Sequence, residues 1–117
     1  MADTEAMGTT PGVILFTKRA LAGKSREIAA FYRAYDMAVR EVNANGEKYR
    51  ADIIAGCQFP PAVKDLMRMP KFRPSFAPSA EQVADVALWM KGKGLVPQLP
   101  RFQDIVVSGF AADAGNR

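Results

Sequence analysis

Val13-Ile14-Leu15-Phe16-Thr17 is an unbroken apolar run rich in β-branched and aromatic residues. That composition suits a short strand covered on both faces, as in the middle of a parallel sheet. A central strand needs neighbours. The other stretch with strand character is Ile105-Val106-Val107, far downstream and barely long enough to count. The remainder reads as helix, so the expected fold class is mainly α in this chain, with four to five helices and one or two strands. The strand at residues 13–17 then calls for sheet partners that the rest of the chain does not supply.

Working outward, a short turn of helix is expected around Arg19 and Leu21, broken at Gly23. Ser25 offers an N-cap and Glu27 an acid in the first turn. Ile28, Phe31, Tyr32, Tyr35, Val39 and Val42 follow at the spacing of one apolar stripe on a 3.6-residue helix. Arg26, Arg33, Asp36, Arg40 and Glu41 fall largely on the other faces, and Asn43-Ala44-Asn45-Gly46 makes a stop. A second helix is expected over 47–55, with Tyr49, Ile53 and Ile54 inward and Gly56 at its end. Phe59-Pro60-Pro61 should open a third, with Val63, Leu66 and Met67 as its stripe.

Pro70, Pro74 and Pro78 exclude both helix and central strand from the next segment, leaving an extended connector anchored by Phe72 and Phe76. Ser79 and Gln82 match a capping box. The helix they start carries Val83, Val86, Ala87 and Met90 as its buried stripe, with Trp89 beside it and Gly92 and Gly94 at its end. Residues 95–100 read as extended, and 102–110 as a weak second strand or a final turn. The organisation expected is a polar lead-in over 1–12, a folded body over 13–110 and a tail over 111–117.

Composition removes several functions. Hydrophobic residues are 49% and charged residues 24% of the 117, which excludes a wholly disordered chain. The net charge is +4, yet the basic residues are scattered among twelve acids with no run longer than two, so no nucleic-acid partner is expected. No apolar stretch is long enough for a membrane helix, and the acidic, polar first residues lack the pattern of a signal peptide. Cys57 is the one cysteine and there is no histidine. An intramolecular disulfide is thereby excluded, and a Cys-His nucleophile pair or a histidine base cannot form. Cys57 is expected as a small buried apolar residue.

Neither a metal site nor a cofactor is expected. Gly8, Gly12 and Gly23 do not spell a phosphate-cradling loop. The carboxylate pairs Asp36 with Glu41 and Glu81 with Asp85 lie on solvated faces, so no catalytic residues are expected and the chain is read as non-enzymatic. Phe31, Tyr32 and Tyr35 read as core rather than as an aromatic ligand box. Phe72, between Lys71 and Arg73, reads as a pin for its loop rather than a stacking platform. Thr9 and Thr10, hydroxyls just ahead of the strand, are the candidate ligand-binding residues, for a small anion; the alternative is an ordinary lead-in loop.

In order, these phrases resemble the C-terminal part of periplasmic solute-binding proteins of the nitrate/sulfonate/taurine type, which serve ABC importers. The resemblance rests on Gly12-Val-Ile-Leu-Phe-Thr-Lys-Arg19, on the helix holding Phe31-Tyr32-Arg-Ala-Tyr35, and on Val42-Asn-Ala-Asn45-Gly46-Glu47-Lys-Tyr49. Phe59-Pro60-Pro61-Ala-Val63, Pro78-Ser79-Ala-Glu81-Gln82-Val83, Trp89-Met90 and Lys93-Gly94-Leu95-Val96 complete it. It implies a fragment of a two-lobed α/β receptor (type II) that closes on a small nutrient, an oxyanion or sulfonate, and delivers it to a membrane permease. It also implies a periplasmic or extracytoplasmic parent whose upstream region supplies the missing strands. The alternative is a self-associating helical module, a homo-oligomer that completes its sheet through residues 13–17 of a second copy.

Overall fold

A computed structural model describes residues 12–63 and 66–113. The architecture is mainly helical: α1 spans Lys18–Gly23, α2 Ser25–Ala44, α3 Gly46–Gly56, α4 Ala80–Gly92 and α5 Phe102–Ile105. Two strands of two residues each, β1 at Phe76–Ala77 and β2 at Ala112–Asp113, pair in parallel with Phe76 opposite Ala112. The described residues fall into two compact units, one of residues 30–75 and one of residues 12–29 with 76–113.

The expected strand at 13–17 does not form. Residues 12–17 are extended but pair with no other strand among the described residues. Val13 is 57% exposed and Leu15 83% exposed. β-Branched residues favour the extended conformation locally, but a strand exists only when a neighbour completes its hydrogen-bond ladder. Of the two alternatives for residues 102–110, the strand at Ile105 to Val107 is absent and a final turn forms. There Arg101 grips Asp104 with two bonds of 2.8 Å, and the turn so closed becomes α5.

Helix α1 starts where the Thr17 hydroxyl accepts the Ala20 N–H at 3.2 Å. Lys24 separates it from α2: its N–H reaches the Ala20 carbonyl, and its own carbonyl accepts the Ile28 N–H at 3.0 Å. The cap position of α2 is therefore Lys24 and not the expected Ser25, which is the first helical residue. A backbone carbonyl is sufficient to begin the ladder. Asn45 alone divides α2 from α3, in keeping with the stop expected over residues 43–46.

The ends of α3 and α4 are the same motif in different residues. At α4, the Gly94 N–H bonds Lys91 and the Leu95 N–H bonds Met90, with Gly94 in the left-handed region at φ 71°. At α3, Gln58 takes that place at φ 54°, with Gln58 bonded to Ala55 and Phe59 to Ile54. Both are Schellman closures, one of them on a residue with a Cβ. Gly56 is the last helical residue and not the left-handed one. The capping box at Ser79 is formed as expected, with Gln82 N–H donating to Ser79 Oγ at 3.2 Å and Ser79 N–H to Gln82 Oε1 at 3.0 Å.

Among the described residues the buried apolar side chains are Ile28, Val39, Ile54 and Ala87. Ile28 and Val39 form the centre of the α2 stripe. Phe31 and Tyr35 lie on its flank and stay 45% and 36% exposed, against the expectation that they are core. The stripe is wider than the surface the other described residues lay over it. On α4, Ala87 is buried while Val86 remains open, so that stripe too is only partly covered. The third helix expected after Pro61 is reduced to a 3₁₀ turn, Pro61–Val63, with further bonds from the Leu66 and Met67 N–H groups to the Val63 carbonyl. Leu66 points outward. Cys57 is exposed rather than buried, because it lies at the C-cap of α3, beyond the last turn that packs.

Candidate functional site

Thr9 and Thr10, the candidate anion contacts, lie outside the described residues. Shortly after them in the chain comes the exposed run of residues 13–15, whose backbone joins no ladder. Among the described residues it has no strand partner, and an extended apolar segment of that kind has the chemistry of a sheet edge, where a further strand can add.

Within residues 30–75 the polar side chains do something else: they tie the proline-rich connector to helices. Asn43 faces the connector with both ends of its amide, donating to the Phe72 carbonyl at 2.7 Å and accepting the Phe72 N–H at 2.9 Å. Closer to the start of α2, the two oxygens of Asp36 accept the Ser75 N–H at 2.6 Å and the Ser75 hydroxyl at 3.0 Å. Ser75 is the buried polar residue of the described region. Asp36 and Asn43 are seven residues apart, two turns of α2, so they share a face and hold the connector at two points. On α3, Arg50 bonds both oxygens of Glu47 and also donates to the Met67 carbonyl.

Phe72 is thus pinned as expected, but by its backbone; its ring is part-exposed. Phe31 and Tyr32 meet edge to face at 5.5 Å, and Phe31 and Tyr35 lie 6.5 Å apart in a tilted pair. Burial raises the Tyr32 phenol above its ordinary pKa. These contacts are those of a helix face and its own neighbours.

The carboxylates singled out by spacing are not brought together for acid–base work. Asp36 is occupied by Ser75. Glu41 accepts the Tyr49 hydroxyl at 3.0 Å and lies 3.7 Å from Lys48; chiefly the Tyr49 bond, with Asn45 and Lys48 adding to it, holds its carboxyl below the ordinary value. Glu47 is lowered in the same direction, first by its bond to Arg50. Lys48 is raised, by Tyr49 and then Glu41. Glu41, Glu47 and Lys48 are each held in the charged form, opposite to the tuning a general acid or base needs. Glu81 and Asp85 are exposed on α4.

No group of three or more metal-ligating side chains occurs among the described residues, and no helix there is long and apolar enough to cross a membrane. The roles of Asn43, Ser75 and Arg50 are not evident from pattern alone. The signal that could have found the first is its register: Asp36 and Asn43 are polar residues two turns apart on a helix followed by prolines that cannot satisfy one another. The exposed extended run and the side-chain-stitched connector are the chain's two distinctive surfaces; comparison with protein-family models, with curated proteins and with solved structures gives no match.

Proposed function

We propose that this chain is part of the solute-binding protein of an ABC importer, of the nitrate/sulfonate/taurine kind, that captures a small oxyanion or sulfonate. The observation that supports the reading is the run at 13–15: it is apolar, extended, largely exposed and without a strand partner among the described residues. In the receptor it becomes a strand of one lobe, paired with strands from outside this chain, and the helices after it cover that lobe. The protein acts by binding and delivery to a permease outside the cytoplasm, without chemistry on the solute. Thr9 and Thr10 donate to the anion.

The same run supports a second reading, self-association through residues 13–17. One experiment separates the two. The natural product of the whole reading frame is purified, its mass in solution is measured, and nitrate, sulfate and taurine are titrated into it by calorimetry, with hydrogen exchange followed at residues 13–17. The receptor reading expects a monomer, slow exchange at those amides and saturable binding of at least one solute, weakened when Thr9 and Thr10 are both changed to Val. A dimer with slow exchange and no solute binding supports the module instead. Fast exchange at residues 13–17 in that product overturns both.

A further inference from the structure

The face of α2 opposite its buried stripe carries a second pattern, which stands independently of the solute-receptor reading. Ala30, Arg33, Met37, Arg40 and Ala44 follow one another at steps of three and four residues and are all exposed. Arg33 and Arg40 are seven residues apart, so their positions repeat at about 10.5 Å along the helix. Met37, 64% exposed, stands between them.

The acid placed to neutralise both arginines is Asp36, three residues after Arg33 and four before Arg40, the spacing at which helical ion pairs form. Its two oxygens are turned instead to the N–H and hydroxyl of Ser75. Glu41, next along the helix, is engaged by Tyr49 and Lys48. Neither Arg33 nor Arg40 makes an ion pair among the described residues. Asp36 is thus turned to the connector, and the two guanidinium groups lie in one line with no ion pair among the described residues.

We infer that this face of α2 docks an acidic amphipathic helix of a partner protein, with carboxylates seven residues apart meeting Arg33 and Arg40 and an apolar side chain between them packing on Met37. Charge complementarity gives the sign of the partner. The repeat gives its form, since a second helix with acids at heptad spacing presents charge at the same interval. A phosphate backbone would match the charge but leave Met37, Ala30 and Ala44 facing polar groups. Arginine offers two parallel bonds to each carboxylate, and methionine adapts to varied apolar neighbours.

The test uses the full chain and two labelled three-heptad helical peptides of identical composition, one with Glu at every seventh position and one with the same Glu residues spread around the helix. Fluorescence anisotropy at low salt should show the aligned peptide binding about tenfold tighter than the spread one, with the advantage shrinking at high salt. Arg33→Gln with Arg40→Gln should abolish the difference, and circular dichroism checks that the helix is retained, as expected for exposed side chains. A Met37→Ala variant should weaken the aligned peptide alone. Equal binding of the two peptides, no binding of either, or tighter binding to a DNA duplex or to phosphatidylserine vesicles overturns the inference.

Discussion

Two stretches of this chain are extended without belonging to a sheet of any size, and they are held in opposite ways. The proline-rich connector carrying Pro70, Pro74 and Pro78 is gripped by Asn43 at Phe72 and by Asp36 at Ser75, and Arg50 holds the Met67 carbonyl just ahead of it. Residues 12–17 are apolar and have no such grips on 13–15, which stay open to solvent. Apolar content therefore does not decide which extended segment is held. A segment is held here where side chains from a stable helix satisfy its backbone, whereas residues 13–15 have no strand partner among the described residues.

The strongest way to break this contrast is to remove Asp36. Asp36→Ala removes two bonds that a charged group accepts from buried Ser75, which should cost about 3 kcal/mol. Urea unfolding followed by circular dichroism, with hydrogen exchange at Ser75, measures it; an effect under about 0.5 kcal/mol would show that the connector is held by something else. Asn43→Ala removes a pair of bonds in an exposed setting, so it should cost about 1 kcal/mol and release the amide of Phe72 to faster exchange while leaving Ser75 slow. Equal release of both amides would mean the two grips act as one.

The smallest effect belongs to the other stretch. Ile14→Lys should change the stability of the chain by no more than about 0.5 kcal/mol, because the site is already solvated. The same change should abolish strand pairing in a larger receptor or in a dimer, where a lysine would be buried in a sheet. A large loss of stability in the chain alone would show that residues 13–15 are covered, and would remove the contrast from which the proposed function is drawn.

Legibility tracks how local each interaction is. The α4 start is readable because Ser79 and Gln82 are three residues apart and carry the whole cap between them. The α2 and α3 helices and a stop between them are readable from periodicity and from Asn43 to Gly46, while the structure narrows the break to Asn45. Pattern puts the closure of α3 at Gly56, yet the left-handed residue is Gln58, because the hydrogen-bond geometry of the last turn, and not the presence of glycine, sets that position. Phe31 and Tyr35 read as core since periodicity reports which side of a helix is apolar, not how much of it is covered. The candidate pair Thr9 and Thr10 lies outside the described residues, and the grips of Asp36 and Asn43 join residues 39 and 29 apart, beyond any local pattern.

By itself the sequence determined helices α1 to α4, which depend on residues within a few turns of one another, together with the proline-rich connector and the absence of histidine chemistry. Only the tertiary structure decided that the run at 13–17 is not a strand within the described chain, that Asp36 serves Ser75 rather than its neighbouring arginines, and that Cys57 is open to solvent. The reason is physical: helix periodicity and caps are closed by hydrogen bonds within one segment, whereas strands and side-chain grips need a second segment whose place in space no local pattern encodes.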